Sequence, residues 1–122
     1  MTPKKLVIIA LGIISIISLA GCGPETIWLR PGLDTPSQHI SNGQQFMSRG
    51  KYEDALREFN RAKELEPDSV DAYIGIGLVM GKRGEINAGL ERLKQAETLA
   101  DTPEEKRSVN RAYKRFHDDT GH

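Results

Sequence analysis

The sequence predicts an all-α fold: two copies of a helix-turn-helix unit, followed by a fifth helix that closes them. Three observations carry this prediction. At a shift of about 34 residues the chain pairs with itself: Gly43 with Gly77, Arg49 with Arg83, Gly50 with Gly84, Leu56 with Leu90, Ala62 with Ala96, Leu65 with Leu99. Helix signals punctuate the same stretch. Thr35-Pro36-Ser37-Gln38 and Thr102-Pro103-Glu104-Glu105 read as capping boxes with proline at the first helical position, and Gly50 and Gly84 read as left-handed helix ends. Lastly, Val109, Ala112, Tyr113 and Phe116 recur at helical spacing and form one apolar stripe on a final helix.

In chain order, Lys4 and Lys5 precede the apolar run Leu6–Ala20, which passes through Gly21 to Cys22, the one cysteine of the sequence. The run is about 15 residues, short of the roughly 20 that cross a bilayer, so residues 1–21 are expected to be a signal peptide. The tetrapeptide Leu19-Ala20-Gly21-Cys22 resembles the lipobox of bacterial lipoprotein precursors. That resemblance implies cleavage before Cys22, a diacylglyceryl thioether on its sulfur and an acyl chain, such as palmitate, on its new amino group. A plain secretory peptide and an uncleaved single-span anchor are the alternatives. Gly23 is not the aspartate that retains such lipoproteins in the inner membrane of enteric bacteria, so the resemblance implies the periplasmic face of an outer membrane where the cell has one.

Lipidation would account for a lone cysteine in an exported chain, and it leaves no internal disulfide, so the fold must rest on apolar packing. The formal charge is zero, with 17 basic and 17 acidic residues; loss of Lys4 and Lys5 leaves 15 against 17, or −2. That balance offers nothing to nucleic acid. Residues 22–34 read as the lipidated cysteine and a tether broken by Pro24, Pro31 and Gly32, reaching about 40 Å at full extension. Trp28 in this tether is expected either at lipid headgroups or folded back on the domain.

Residues 35–119 form the predicted domain, with copies at about 36–69 and 70–103 and a closing helix at about 103–118. Asp68 and Asp71 are expected to cap the start of the second copy. Gly43, Phe46, Gly50, Tyr52, Ala55, Phe59, Ala62 and Pro67, in that order and at that period, resemble the tetratricopeptide repeat (TPR). The second copy keeps Tyr73, Gly77, Gly84, Leu93 and Ala96, and departs with Gly89 where alanine is usual and Asp101 where proline is usual. The resemblance implies an α-solenoid of two repeats with a capping helix. Gly75 and Gly81 exceed what the repeat demands, and together they weaken their helix by about 2 kcal/mol relative to alanine.

The stretch from Gly75 to Gly84, GIGLVMGKRG, invites comparison with phosphate loops and fails it. Its gap is one residue too long for the Walker spacing, and Arg83 stands where Ser or Thr would hold magnesium. His39, His117 and His122 make no recognisable ligand pair, and the acidic pairs Glu53-Asp54 and Glu104-Glu105 fall at helix starts, where they favour the dipole. No catalytic, cofactor or metal residues are expected, and the chain is not expected to be an enzyme.

What the TPR resemblance implies is a concave groove that holds a protein segment. Carried onto this sequence, the groove residues are Ile40, Gln44, Met47 and Ser48 from the first copy and Ile74, Leu78, Gly81 and Lys82 from the second. Arg107, Arg111, Lys114 and Arg115 come from the closing helix. Gly81 is expected to let a partner backbone come close. The expected ligand has apolar side chains at one end and acidic groups at the other; a merely solvated basic face on the closing helix is the alternative. The expected function is a lipid-anchored scaffold in a bacterial envelope assembly, with another envelope protein as partner. The rival is a self-associating lipoprotein whose groove is filled by its own chain or by a second copy.

Overall fold

In a computed structural model, which describes residues 34–121, Thr35 turns the chain into α1, Pro36–Ser48. The Thr35 hydroxyl accepts from the Gln38 N–H at 3.2 Å, while the Gln38 side chain turns outward to Asn42 Oδ1 at 2.9 Å, so only half of the expected capping box forms. Gly50 ends the helix at φ 73°: its N–H reaches Met47 O at 3.1 Å and the Lys51 N–H reaches Phe46 O at 2.9 Å. These two bonds cover carbonyls that the last turn would otherwise leave unpaired, and the left-handed residue is one that glycine adopts cheaply.

The hairpin continues in α2, Tyr52–Leu65, and the pattern repeats in α3, Val70–Lys82, and α4, Ile86–Leu99. Gly84 at φ 83° ends α3 with the same pair of bonds, Gly84 N–H to Gly81 O and Glu85 N–H to Met80 O, both 2.9 Å. The expected caps at Asp68 and Asp71 are corrected: Ser69 immediately precedes the helix and accepts the Ala72 N–H at 3.4 Å, whereas Asp71 already lies in the first turn. The last helix is α5, Pro103–Thr120, opened by a complete capping box between Thr102 and Glu105. Glu105 Oε2 accepts the Thr102 N–H at 2.9 Å and the Asp101 N–H at 3.0 Å, and these bonds hold its carboxyl below the usual range.

The described residues are therefore all helical, with no strand, as the sequence predicts. Each of the first four helices packs most closely on its hairpin partner; α3 also receives α1 and α2, and α5 lies across α3 and α4. Small residues set the approach. Ala55 and Ala62 on α2 and Ala96 on α4 are fully buried, and Phe59 and Leu93 fill the space beside them. Burying such a side chain contributes about 1.5–3 kcal/mol, which suits a chain that must hold by packing.

Two aromatic rings explain the surplus glycines. Phe59 lies over both Gly43 and Gly75: a Cβ at Gly43 would stand 2.8 Å from the ring, and one at Gly75 would be closer still. Phe116 from α5 occupies the corresponding place over Gly81 and Gly89, where added Cβ atoms would sit 2.5 and 2.6 Å from its Cε2. The expectation that Gly81 opens the groove wall to a partner is corrected here. Gly81 is buried, and the group that comes close to it is the closing helix of the same chain.

Candidate protein-binding groove

Short loops join consecutive helices, so neighbours run antiparallel and α1, α3 and α5 share one direction. Together these three line a groove of about 570 Å³. Its floor is apolar: Met47 from α1, Ile74 and Leu78 from α3 and Ala112 from α5, with the Phe59 ring reached where Gly75 carries no side chain. Its rim is polar. Gln44 and Ser48 stand on α1, Asp71 in the first turn of α3, and Ser108, Arg111 and Arg115 on α5.

Gln44, Met47, Ser48, Ile74, Leu78, Arg111 and Arg115 are thus brought together as sequence reasoning placed them. The others lie elsewhere. Ile40 packs half-buried against the core, Lys82 Nζ is held by Asp119 at 2.8 Å, Arg107 pairs with Glu104, and Lys114 is exposed. The error on α5 is one of helical phase. At about 100° per residue, Val109 and Phe116 point to the core and Ser108 and Arg115 lie beside them, whereas Arg107 and Lys114 fall a further ~100° round toward solvent.

Sequence reasoning also missed Phe59, Asp71, Gly75, Ser108 and Ala112. Taking the buried stripe Val109-Ala112-Phe116 as the reference direction on α5, rather than its run of basic residues, would have found Ser108 and Ala112.

A second cluster of titratable groups lies at the start of α1. His39 Nδ1 is 2.8 Å from Glu58 Oε2 and His39 Nε2 is 2.8 Å from Asp34 Oδ1, while Arg61 donates to Asp34 Oδ2 at 2.7 Å. Carboxylates only accept, so both bonds form together when both ring nitrogens carry a proton, and the pair of carboxylates favours the imidazolium form of His39. Burial pulls its pKa down, but the bonds to Asp34 and Glu58 outweigh burial and raise it. The bonds from Arg61 and His39 lower the Asp34 carboxyl to about 2. This cluster joins the described N-terminal residues to α1 and α2. Among the described residues, no group of three or more His, Cys, Asp or Glu side chains is placed to hold a metal ion.

A family model described as TPR repeat matches residues 43–84, from the middle of α1 to the glycine that ends α3. The chain carries a TPR repeat. With its two stacked hairpins and closing helix, the fold is an all-α solenoid of such repeats. TPR repeats are in general non-catalytic interaction modules, so the partners this repeat indicates are proteins. No curated protein and no solved structure gives a significant match to the chain.

Proposed function

We propose that this protein is a lipid-anchored docking module of a bacterial cell envelope, which holds a segment of another envelope protein in the groove across α1, α3 and α5. The observation that carries the reading is the groove itself: an apolar floor wide enough for several side chains, bounded by polar groups that fix orientation. The TPR match supports protein as the ligand class. The anchor rests on sequence, since residues 1–21 and Cys22 lie outside the described residues. An apolar run that ends in Leu19-Ala20-Gly21-Cys22 supports lipidation of Cys22, and among the described residues no helix is long and apolar enough to cross a membrane. In a cell with an outer membrane, Gly23 supports placement on that membrane's periplasmic face, with a tether whose dozen residues reach about 40 Å at full extension.

Site-specific photocrosslinking in intact cells tests the docking reading. A photoreactive residue at Ser48 should capture one protein that the same residue at Lys94, exposed on α4, does not capture. Equal capture from both positions would rule the groove out as the docking surface.

A further inference from the structure

We infer that the segment received by the groove places carboxylates against Arg111 and Arg115, next to apolar side chains seated on Met47, Ile74 and Leu78. This rests on the docking reading above and adds the chemistry and the orientation of the ligand.

The first argument is how arginines are used in this chain. Arg61 meets Asp34 at 2.7 Å, Arg83 meets Glu53 at 3.1 Å and Glu85 at 3.0 Å, and Arg57 and Arg107 pair with Asp54 and Glu104 one turn away. Arg49 and Arg92 also have no carboxylate within 4.0 Å among the described residues, Arg92 donating to Gln95 Oε1 at 2.8 Å, but neither lines the groove; the two arginines that do line it keep donors free beside an apolar floor. Arg111 donates to Ser108 Oγ at 2.8 Å and has no carboxylate within 4.0 Å among the described residues. Arg115 Nε is 3.8 Å from an Asp119 carboxylate that Lys82 already holds at 2.8 Å. Two guanidinium groups with spare donors therefore face the groove, one turn apart on the same wall. A guanidinium presents five N–H donors in a planar fork that fits a carboxylate, so the complementary ligand group is acidic.

The second argument is polarity along the groove. Arg111 stands at the middle of α5 and Arg115 in its C-terminal half, while Asp71 stands in the first turn of α3, which runs the same way. Beyond Asp71 the surface stays acidic through Asp68, Asp101 and Glu105. A segment laid in one direction brings its carboxylates to the arginines, and in the other direction it brings them to Asp71. Like-charge contact penalises the reversed arrangement, so the groove accepts one orientation.

The test is selection of peptides from a random displayed library on the full-length protein in detergent. The enriched peptides are then resynthesised with a photoreactive group. The expected outcome has three parts: acidic residues enriched to one side of apolar ones, crosslinks mapping to α1, α3 and α5, and affinity reduced more than tenfold by Arg111→Glu with Arg115→Glu. Replacing the peptide's acidic residues with lysine should restore binding to that double variant. Peptides that crosslink in the groove but bind the double variant unchanged would overturn this inference and leave the docking reading standing. If no peptide is enriched, if crosslinks map elsewhere, or if a second copy of the chain occupies the groove instead, both fall.

Discussion

The His39 imidazole donates from Nδ1 to the Glu58 carboxylate across 2.8 Å, joining the first turns of α1 to the middle of α2. The opposite ring nitrogen donates to Asp34, the first described residue, which Arg61 on α2 also holds. One half-buried imidazolium thus ties both helices of the first hairpin to the chain that enters it. The residues sit on the side of α1 that meets α2, so this clasp and the groove call on different faces of the same helix.

The clasp predicts a pH window. A histidine whose folded pKa is raised stabilises fully below its unfolded value of about 6.5, and that stability is lost as pH rises through the folded value. An aspartate lowered to about 2 stabilises above its unfolded value of 3.8, and its share is lost as pH falls through about 2. Both contributions operate together between about pH 4 and 6.5. Urea midpoints taken across pH should fall on the alkaline side for the native chain and stay flatter there for His39→Gln. Parallel curves for the two proteins would show that the clasp contributes nothing.

A methyl group at Gly81 should destabilise the protein, against helix propensity. Alanine in a helix interior is better than glycine by about 1 kcal/mol, but the added Cβ would lie 2.5 Å from Phe116 Cε2 in a closed core. Overpacking of that kind costs about 1–3 kcal/mol, so Gly81→Ala should lower stability, and Gly81→Ala with Phe116→Leu should recover part of the loss. Denaturant unfolding of the four proteins in the cycle checks this. A more stable single variant would mean that α5 does not seat as described.

The start of the closing helix should be as consequential as its ring. Thr102 accepts the Glu105 N–H at 3.2 Å and its own N–H is held by the Glu105 carboxylate, so Thr102→Ala removes one half of a reciprocal cap. The expected loss is about 1 kcal/mol, with Thr102→Ser close to native. Hydrogen exchange in α5 should rise in the alanine variant more than exchange in α1 and α2, because local opening starts where the helix has lost its end.

Local chemistry was readable in the sequence and tertiary reasons were not. Thr102, Gly50 and Gly84 mark helix ends through bonds to residues within one turn, so each announces itself without the rest of the fold. Gly75 and Gly81 looked like surplus because the rings that need them come from α2 and α5. The groove followed the same division. On α1 and α3 the internal duplication carries the helical phase from one copy to the next, so Gln44, Met47, Ile74 and Leu78 share the groove, whereas Ile40 packs on the core, Gly81 lies under Phe116 and Lys82 is held by Asp119 through contacts the repeat pattern does not encode. Helix α5 is no strict copy, and its basic residues drew attention to Arg107 and Lys114 on the solvent side. The His39 clasp was invisible for a further reason: one of its two carboxylates comes from a helix 19 residues away.

Cys22 should carry lipid, and its sulfur is the group to test. It is the one cysteine in the sequence and directly follows Leu19-Ala20-Gly21 at the end of an apolar run too short to span a bilayer comfortably. A thioether-linked pair of acyl chains would convert a weak apolar attachment into a stable one, since each buried methylene contributes about 0.8 kcal/mol and a single chain binds only reversibly. Cells fed an alkynyl fatty acid should label the native chain and leave Cys22→Ser unlabelled. Mass spectrometry should find the native N-terminus at a modified Cys22. Label retained by the serine variant, or a native chain that still begins at Met1, would remove the anchor from the proposed function while leaving the groove and its partner chemistry intact.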